Sequence, residues 1–248
     1  MAKTLRSLLD KHSRLVLALD PPREASNPVD WCLNIIRMVR GVPVAYKLGL
    51  PLVARVGFKD VRRLIGEYSD EYWIADMKLA DIGYISSLVV EEAASTGFNA
   101  VIAHSFIGFK GALELIADKC REHGVELITV VSMSHEGSRD LLDRSLLGLL
   151  DASFKAGASG LIVPATRPSI IRVVRRIVGS NMVLLAPGVG AQGAKPGQAI
   201  MAGADLEIAG RIVTRDENPK KRALEIVEEQ RRALCLLGRS CTGMGAYL

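Results

Sequence analysis

Residues 72–81 read YWIADMKLAD, a run of large apolar side chains that ends in acid, base and acid. Near-continuous apolar character of this kind is what a parallel strand needs when both of its faces are buried. Outward from it the same design recurs seven times: RLVLALD (14–20), PVAYKLG (43–49), NAVIAHS (99–105), ELITVVS (126–132), SGLIVPA (159–165), NMVLLAP (181–187) and ADLEIAG (204–210). The spacing is roughly 27 residues, room for a strand, a helix and two short loops. Helices are predicted between the runs, at Glu91 to Gly97, Gly111 to Glu122, Asp143 to Gly157 and Asn218 to Leu237, from apolar residues at helical spacing and glycines past their ends. Leu5, Leu8 and Leu9 on one face predict an extra helix ahead of the first strand. Eight β/α units without antiparallel interruption predict a single (β/α)8 TIM barrel over residues 1–248, with the glycine-rich stretch 238–248 as a loose tail. An open doubly wound sheet would want a glycine-rich turn after its first strand, where ALDPPRE stands instead.

Composition narrows the partners. The chain has 248 residues, 49% of them hydrophobic and 24% charged, with a formal net charge of +5. That is an ordinary globular composition, and the small basic excess favours an anionic ligand without requiring one. No Lys/Arg cluster is interleaved with aromatic residues, so nucleic acid is not expected. No apolar stretch reaches the roughly 20 residues of a membrane span, and MAKTLRSLLDKHSRL lacks the apolar core of a signal peptide. The four cysteines (Cys32, Cys120, Cys235, Cys241) show no metal spacing, and read as free thiols in a cytoplasmic protein.

In a barrel of this type the chemistry sits at the C-terminal ends of the strands. Those ends carry Asp20, Lys47, Asp76 with Lys78, His104, Ser132 with Ser134, Thr166, Gly188, and Gly210 with Arg211. Asp76 and Lys78 are two apart on one strand, so both side chains are expected on the same face. Lys47 joins them from the neighbouring strand, and Asp81 lies just past the strand end. An ion-pair network could serve only to close the barrel, but buried pairs stabilise poorly, so this density of charge points to function. Across the barrel, Pro187-Gly188-Val189-Gly190-Ala191-Gln192-Gly193 follows strand seven and Gly210-Arg211 follows strand eight. Glycines let backbone N–H groups approach a phosphate, a guanidinium offers forked donors, and this is the usual phosphate position of the fold. His104 and His135 have no ligand-spaced partners and read as structural, and no metal is expected.

Asp76-Met77-Lys78-Leu79-Ala80-Asp81 resembles the D-x-K-x-x-D signature of the orotidine monophosphate decarboxylase suprafamily. Tyr46-Lys47-Leu48-Gly49 resembles the decarboxylase branch, since the magnesium-dependent keto-gulonate phosphate relatives carry an acid where Lys47 stands. Met133-Ser134-His135-Glu136-Gly137 is similar to the pyrimidine-contacting loop, and Pro187 to Gly193 with Gly210-Arg211 to the phosphate clamp. The resemblance runs from about Leu15 to Arg211 and is strongest to the archaeal branch.

The resemblance implies decarboxylation of orotidine 5′-monophosphate to uridine 5′-monophosphate, without metal or organic cofactor. It implies Asp20 and Lys47 on the ribose hydroxyls, with Asp76 orienting Lys47, and Lys78 as the acid that protonates C6. Asp81 would reach across a homodimer interface into the partner's site. Ser134 would bind the pyrimidine amide and touch Gln192, which grips the phosphate with Arg211 and the loop residues Pro187, Gly188, Val189 and Gly190. In one place the chain departs from the family: Ile85 stands where a ribose-contacting Thr is usual, and Ser86 could replace it if the helix start shifts. Gly83 also echoes the sugar-phosphate relatives, which remain the alternative.

The chemistry asks for this charge set. Loss of CO2 from C6 leaves a carbanion that no π system delocalises, so it must be met by fixed charge or by a nearby acid. A lysine between two carboxylates is suited to both tasks. A Schiff-base aldolase would need a lysine of lowered proton affinity, which flanking acids oppose. A non-catalytic nucleotide-binding barrel would have little use for Lys78 between two acids.

Overall fold

The computed structural model describes residues 3–238. Eight parallel strands close on one another in chain order: β1 (Leu15–Leu19), β2 (Ala45–Gly49), β3 (Trp73–Leu79), β4 (Ala100–His104), β5 (Glu126–Val130), β6 (Gly160–Ile162), β7 (Val183–Val189) and β8 (Leu206–Ala209). Closure is made where Leu15, Val16 and Leu17 of β1 pair with Glu207, Ile208 and Ala209 of β8. Each of the eight apolar runs supplies one strand, and the (β/α)8 barrel is the fold observed. Around it lie α1 (Pro28–Val39), α2 (Leu50–Glu67), α3 (Gly83–Thr96), α4 (Glu114–His123), α5 (Leu146–Lys155), α6 (Pro168–Val178), α7 (Gln198–Met201), α8 (Arg211–Thr214) and α9 (Pro219–Leu236). Local sequence sets their starts. The Asn27 side chain accepts the N–H groups of Val29 and Asp30, and Pro28 opens α1 where no N–H donor is missed.

Strand alternation divides the core into two layers. On β1, Val16 and Ala18 join the barrel interior, while Leu15, Leu17 and Leu19 pack outward under the helices. Both sides being buried is why the sequence shows apolar runs in place of an in-out alternation. Among the described residues, no helix is long and apolar enough to cross a membrane.

The extra N-terminal helix is a single 3-10 stretch, Arg6–Asp10. Its apolar residues span too little chain for a stable α-helix, and packing decides its shape. Leu5 and Leu8 are buried among the interior residues of the barrel. The Leu5 N–H donates to the Glu126 carboxylate at 2.5 Å, which also accepts the Tyr72 hydroxyl at 2.6 Å. A Cβ on Gly160 of β6 would lie 2.6 Å from Leu5 Cδ2, so glycine there makes room for the leucine. The N-terminal mouth of the barrel is thereby stoppered, and the C-terminal mouth stays open. Apart from Gly238, the expected tail lies outside the described residues.

Candidate active site

The open mouth holds a cavity of about 260 Å³. Asp20, Lys47, Asp76, Lys78, Ser134, Pro187, Gly188, Val189, Gln192, Gly210 and Arg211 all line it, gathered from six strand ends. Its floor is apolar, built from Ala18, Ile102, Val130, Ile162 and Ile208 of five strands. The sequence reading had named the charged rim and not this floor. Apolar strand residues carry no mark that separates a cavity wall from a filled core.

The charges on one side form a single array. Asp76 accepts from Lys47 Nζ through Oδ2 at 2.7 Å and from Lys78 Nζ through Oδ1 at 2.8 Å. Lys47 and Asp76 are each 8% exposed, whereas the Lys78 side chain reaches into the cavity mouth and is 40% exposed. Burial works against the Lys47 charge, yet Asp76 and then Asp20 outweigh it and hold its pKa above the ordinary lysine value. Burial likewise opposes ionisation of Asp76, and Lys47 and Lys78 hold its pKa below the usual carboxylate value. Lys47 and Asp76 are therefore both charged near neutral pH, and the one carboxylate is shared by two lysines.

Simple alternation does not place Lys78. Pairing between β3 and β4 slips between Ala75 and Leu79, and Lys78 has φ +45°, the positive-φ non-glycine residue of the described chain. A lysine has no steric reason to adopt that conformation. The expected meeting of Asp76 and Lys78 does occur, but a bulge brings it about in place of strand parity. Backbone strain of this sort concentrates at functional sites.

The other side is prepared for an anion. Gly190 (φ +77°) donates to the Ala194 carbonyl at 2.8 Å, and Ala194 N–H to the Gly188 carbonyl at 3.3 Å, which closes the neck of the loop after β7. A Cβ on Gly190 would stand 2.5 Å from Ile212, so only glycine fits. The Gln192 side chain folds over Gly188, where a Cβ would meet its Oε1 at 3.1 Å. Arg211, exposed at the first turn of α8, makes no ion pair among the described residues. Ser134 shares the cavity rim with Gln192, but no hydrogen bond joins the two in this structure.

Several expected residues lie elsewhere. Gly190 shapes the loop without lining the cavity. Asp81 is exposed outside its own chain's cavity, with Oδ1 accepting the Ile82 N–H at 2.7 Å. Neither Ile85 nor Ser86 lines the cavity, and Ser86 cannot stand in for a ribose-binding Thr. It is buried, and its hydroxyl donates to the Asp81 carbonyl at 3.2 Å, because the helix starts at Gly83 and turns Ser86 inward. His104 lies tilted against Phe106, ring centroids 4.8 Å apart, but its buried Nδ1 finds among the described residues no hydrogen bond of the kind expected of a structural histidine.

Sequence reasoning missed the support beneath Ser134. Asp143 accepts the hydroxyls of Ser132 at 2.6 Å and Ser138 at 3.2 Å, and Ser138 accepts the Met133 N–H at 3.0 Å. Arg167 closes the network, donating to Ser132 at 3.0 Å and also to Asp143 and the Met133 carbonyl. A half-buried Arg and Asp far apart in sequence gave no local pattern to read.

Comparison with known proteins places this geometry. The family model described as "Orotidine 5'-phosphate decarboxylase / HUMPS family" matches residues 13–226. A protein of Aeropyrum pernix named orotidine 5′-phosphate decarboxylase is 42% identical over 238 residues, 94% of this chain and 95% of that protein. The crystal structure of orotidine 5′-monophosphate decarboxylase from Sulfolobus solfataricus is similar with a TM-score of 0.77 and 33% identity, covering 90% of this chain and 99% of that one. The enzyme of the same name from Methanocaldococcus jannaschii, complexed with inhibitor BMP, has a TM-score of 0.77 and 26% identity over 88% of this chain and 98% of that one.

Proposed function

The chain belongs to the orotidine 5′-phosphate decarboxylase / HUMPS family, and from that premise we propose that it converts orotidine 5′-monophosphate to uridine 5′-monophosphate and CO2, a carboxy-lyase reaction of pyrimidine biosynthesis. The observation that carries this reading is the Lys47–Asp76–Lys78 array, set opposite the Arg211 guanidinium, unpaired among the described residues, and a glycine-built loop. Sugar-phosphate relatives hold a metal with an acid where this chain has Lys47, and Lys47 is already committed to Asp76.

The distribution of charge around the cavity suits one direction of the substrate. Its phosphate would meet Gln192, Arg211 and the cavity-lining part of the loop after β7, and its ribose Asp20 and Lys47. The pyrimidine would lie on the apolar floor with its amide edge toward Ser134. C6 and its carboxylate would then face Asp76 and Lys78. As the bond to CO2 breaks, its electron pair stays on C6. The Lys78 ammonium, held by Asp76 before any substrate arrives, stabilises that charge and then delivers its proton there. Solvent reprotonates the amine. Because the phosphate is remote from the breaking bond, its binding supports the transition state through closure of the loop at Gln192.

A homodimer with Asp81 completing the partner's site belongs to the same reading. Asp81 stands outside its own cavity beside exposed Ile82 (65%), Tyr84 (64%), Ile85 and Leu88, with exposed Phe106 following the neighbouring strand. A patch of that kind marks an interaction surface. The cytoplasm is the matching location, since Cys32 and Cys120 are buried free thiols among the described residues.

The test is direct: the absorbance of orotidine 5′-monophosphate followed with purified protein in excess chelator. Conversion to uridine 5′-monophosphate is expected. Turnover of keto-gulonate phosphate that magnesium restores would move the chain to the sugar-phosphate branch.

A further inference from the structure

Glu207 is a carboxylate in the middle of β8, and none of its surface reaches solvent. Ile208 of that strand faces the cavity, so Glu207 beside it points the other way, into the helical layer. There its oxygens are occupied. Oε2 accepts the Gly197 N–H at 2.9 Å and the Gln230 amide at 3.1 Å, while Oε1 accepts the Ala199 N–H at 3.0 Å. Gln230, buried in α9, accepts in turn the Arg14 N–H at the foot of β1, at 3.2 Å. Burial pushes the Glu207 pKa up, and these donors work against that shift. Glu207 has no ion-pair partner among the described residues, and a buried carboxylate of that kind is a poor stabilising device, since apolar side chains fill such positions at less cost.

Its position gives it a use. Gly197 and Ala199 follow directly on the loop that carries Gln192, whose two ends meet at the Gly188–Ala194 neck at the end of β7. Gly197 (φ +79°) lies so close to α9 that a Cβ would meet the Glu229 carbonyl at 2.8 Å, so this point can carry no anchoring side chain of its own. The short α7 has no side-chain cap either, and Glu207 supplies the missing acceptor from the adjacent strand. Three and four residues farther along the chain, just past the end of that strand, stand Gly210 and Arg211.

We propose that Glu207 is a positioning residue for phosphate recognition. By fastening Gly197 and Ala199 to β8, it sets the spacing between the Gln192 loop and Arg211. The inference rests on the phosphate site assigned above. It makes the mobile part of the loop the short segment around Ala191 and Gln192, hinged on two fixed points, while α7 stays in place.

Glu207→Gln keeps the shape and one acceptor oxygen, and tests this against a merely structural role. Loss of a charged acceptor should lower kcat/KM for orotidine 5′-monophosphate roughly tenfold, mainly through KM. Orotidine, which lacks the phosphate, should be turned over as before. Equal losses on both substrates, or no loss on either, would overturn the proposal. Arg211→Ala runs beside it. If that variant discriminates between the substrates and Glu207→Gln does not, the role of Glu207 alone is wrong. If neither discriminates, the phosphate assignment fails and this inference falls with it. Hydrogen exchange on the unaltered protein reads the same point without a variant. The Gly197 and Ala199 amides should be protected with or without uridine 5′-monophosphate, and those of Ala191 and Gln192 only with it. Fast exchange at all four in the free protein would overturn the fixed hinge.

Discussion

Lys78 turns back on Asp76 through a left-handed backbone, so that its Nζ sits 2.8 Å from the carboxylate two residues before it. The backbone, not only a flexible side chain, aims this ammonium. Strain of that kind costs roughly 1–3 kcal/mol and persists only where the surroundings impose it. Here the surroundings are β4 on one side and the Lys47–Asp76 pair on the other. A preset ammonium needs no rearrangement as charge develops beside it.

Lys78→Ala should therefore abolish turnover, by at least the roughly 10²–10⁴-fold typical of a lost general acid, while a titration still detects nucleotide binding. Arg in its place should fail as well, because its proton is not released near neutral pH. Wild-type-like turnover by Lys78→Ala would remove the proposed acid.

Asp76→Asn leaves Lys47 buried without its anion, a change worth roughly 3–5 kcal/mol of stability when one partner of a buried pair is lost. The folded-state pKa of Asp76 lies below its ordinary 3.8. Its contribution is thus complete above that value and is lost as pH falls through the lowered pKa. Urea unfolding of wild type and variant should differ most at neutral pH and converge in acid. A gap that stays constant with pH would mean that ionisation of Asp76 contributes nothing.

Arg211→Ala should cost on the order of 2–4 kcal/mol in kcat/KM for the phosphorylated substrate. Orotidine should be almost insensitive to the same change. Steady-state kinetics on the two substrates decide it, and a common loss would argue against phosphate contact.

Asp81→Asn and Lys78→Ala should each be nearly inactive alone if Asp81 serves the partner. Mixed and reassembled in equal amounts, they give about half heterodimers, each with one intact site of two, so activity should recover to roughly a quarter of wild type. Were Asp81 to act within its own chain, every site would keep one defect and mixing would restore nothing.

The strands were legible because burial on both faces leaves an apolar run that composition alone exposes, as in RLVLALD and NMVLLAP. The charged rim was legible because a barrel puts strand ends together, so Lys47 and Asp76 could be expected to meet from position alone. What could not be read was anything set by partners distant in sequence. The Arg167–Asp143 support of the Ser134 loop joins three segments with no shared pattern. Glu207 did leave a signal, an acid inside a run that should be apolar throughout. Its partners at Gly197 and in α9 become neighbours only once the barrel has closed. The turn at Lys78 was hidden for the opposite reason: strand parity gave the right meeting by the wrong route.

The leucine stopper has a consequence for how the chain is made. Leu5 bonds to Glu126, 121 residues farther along, and takes its seat beside Gly160. During synthesis the first turn emerges long before the strands that receive it, and contacts so distant in sequence form late because a large loop must close first. Residues translated ahead of every strand would thus be among the last to settle, and their docking would mark the moment at which a nearly complete set of strands becomes a sealed barrel.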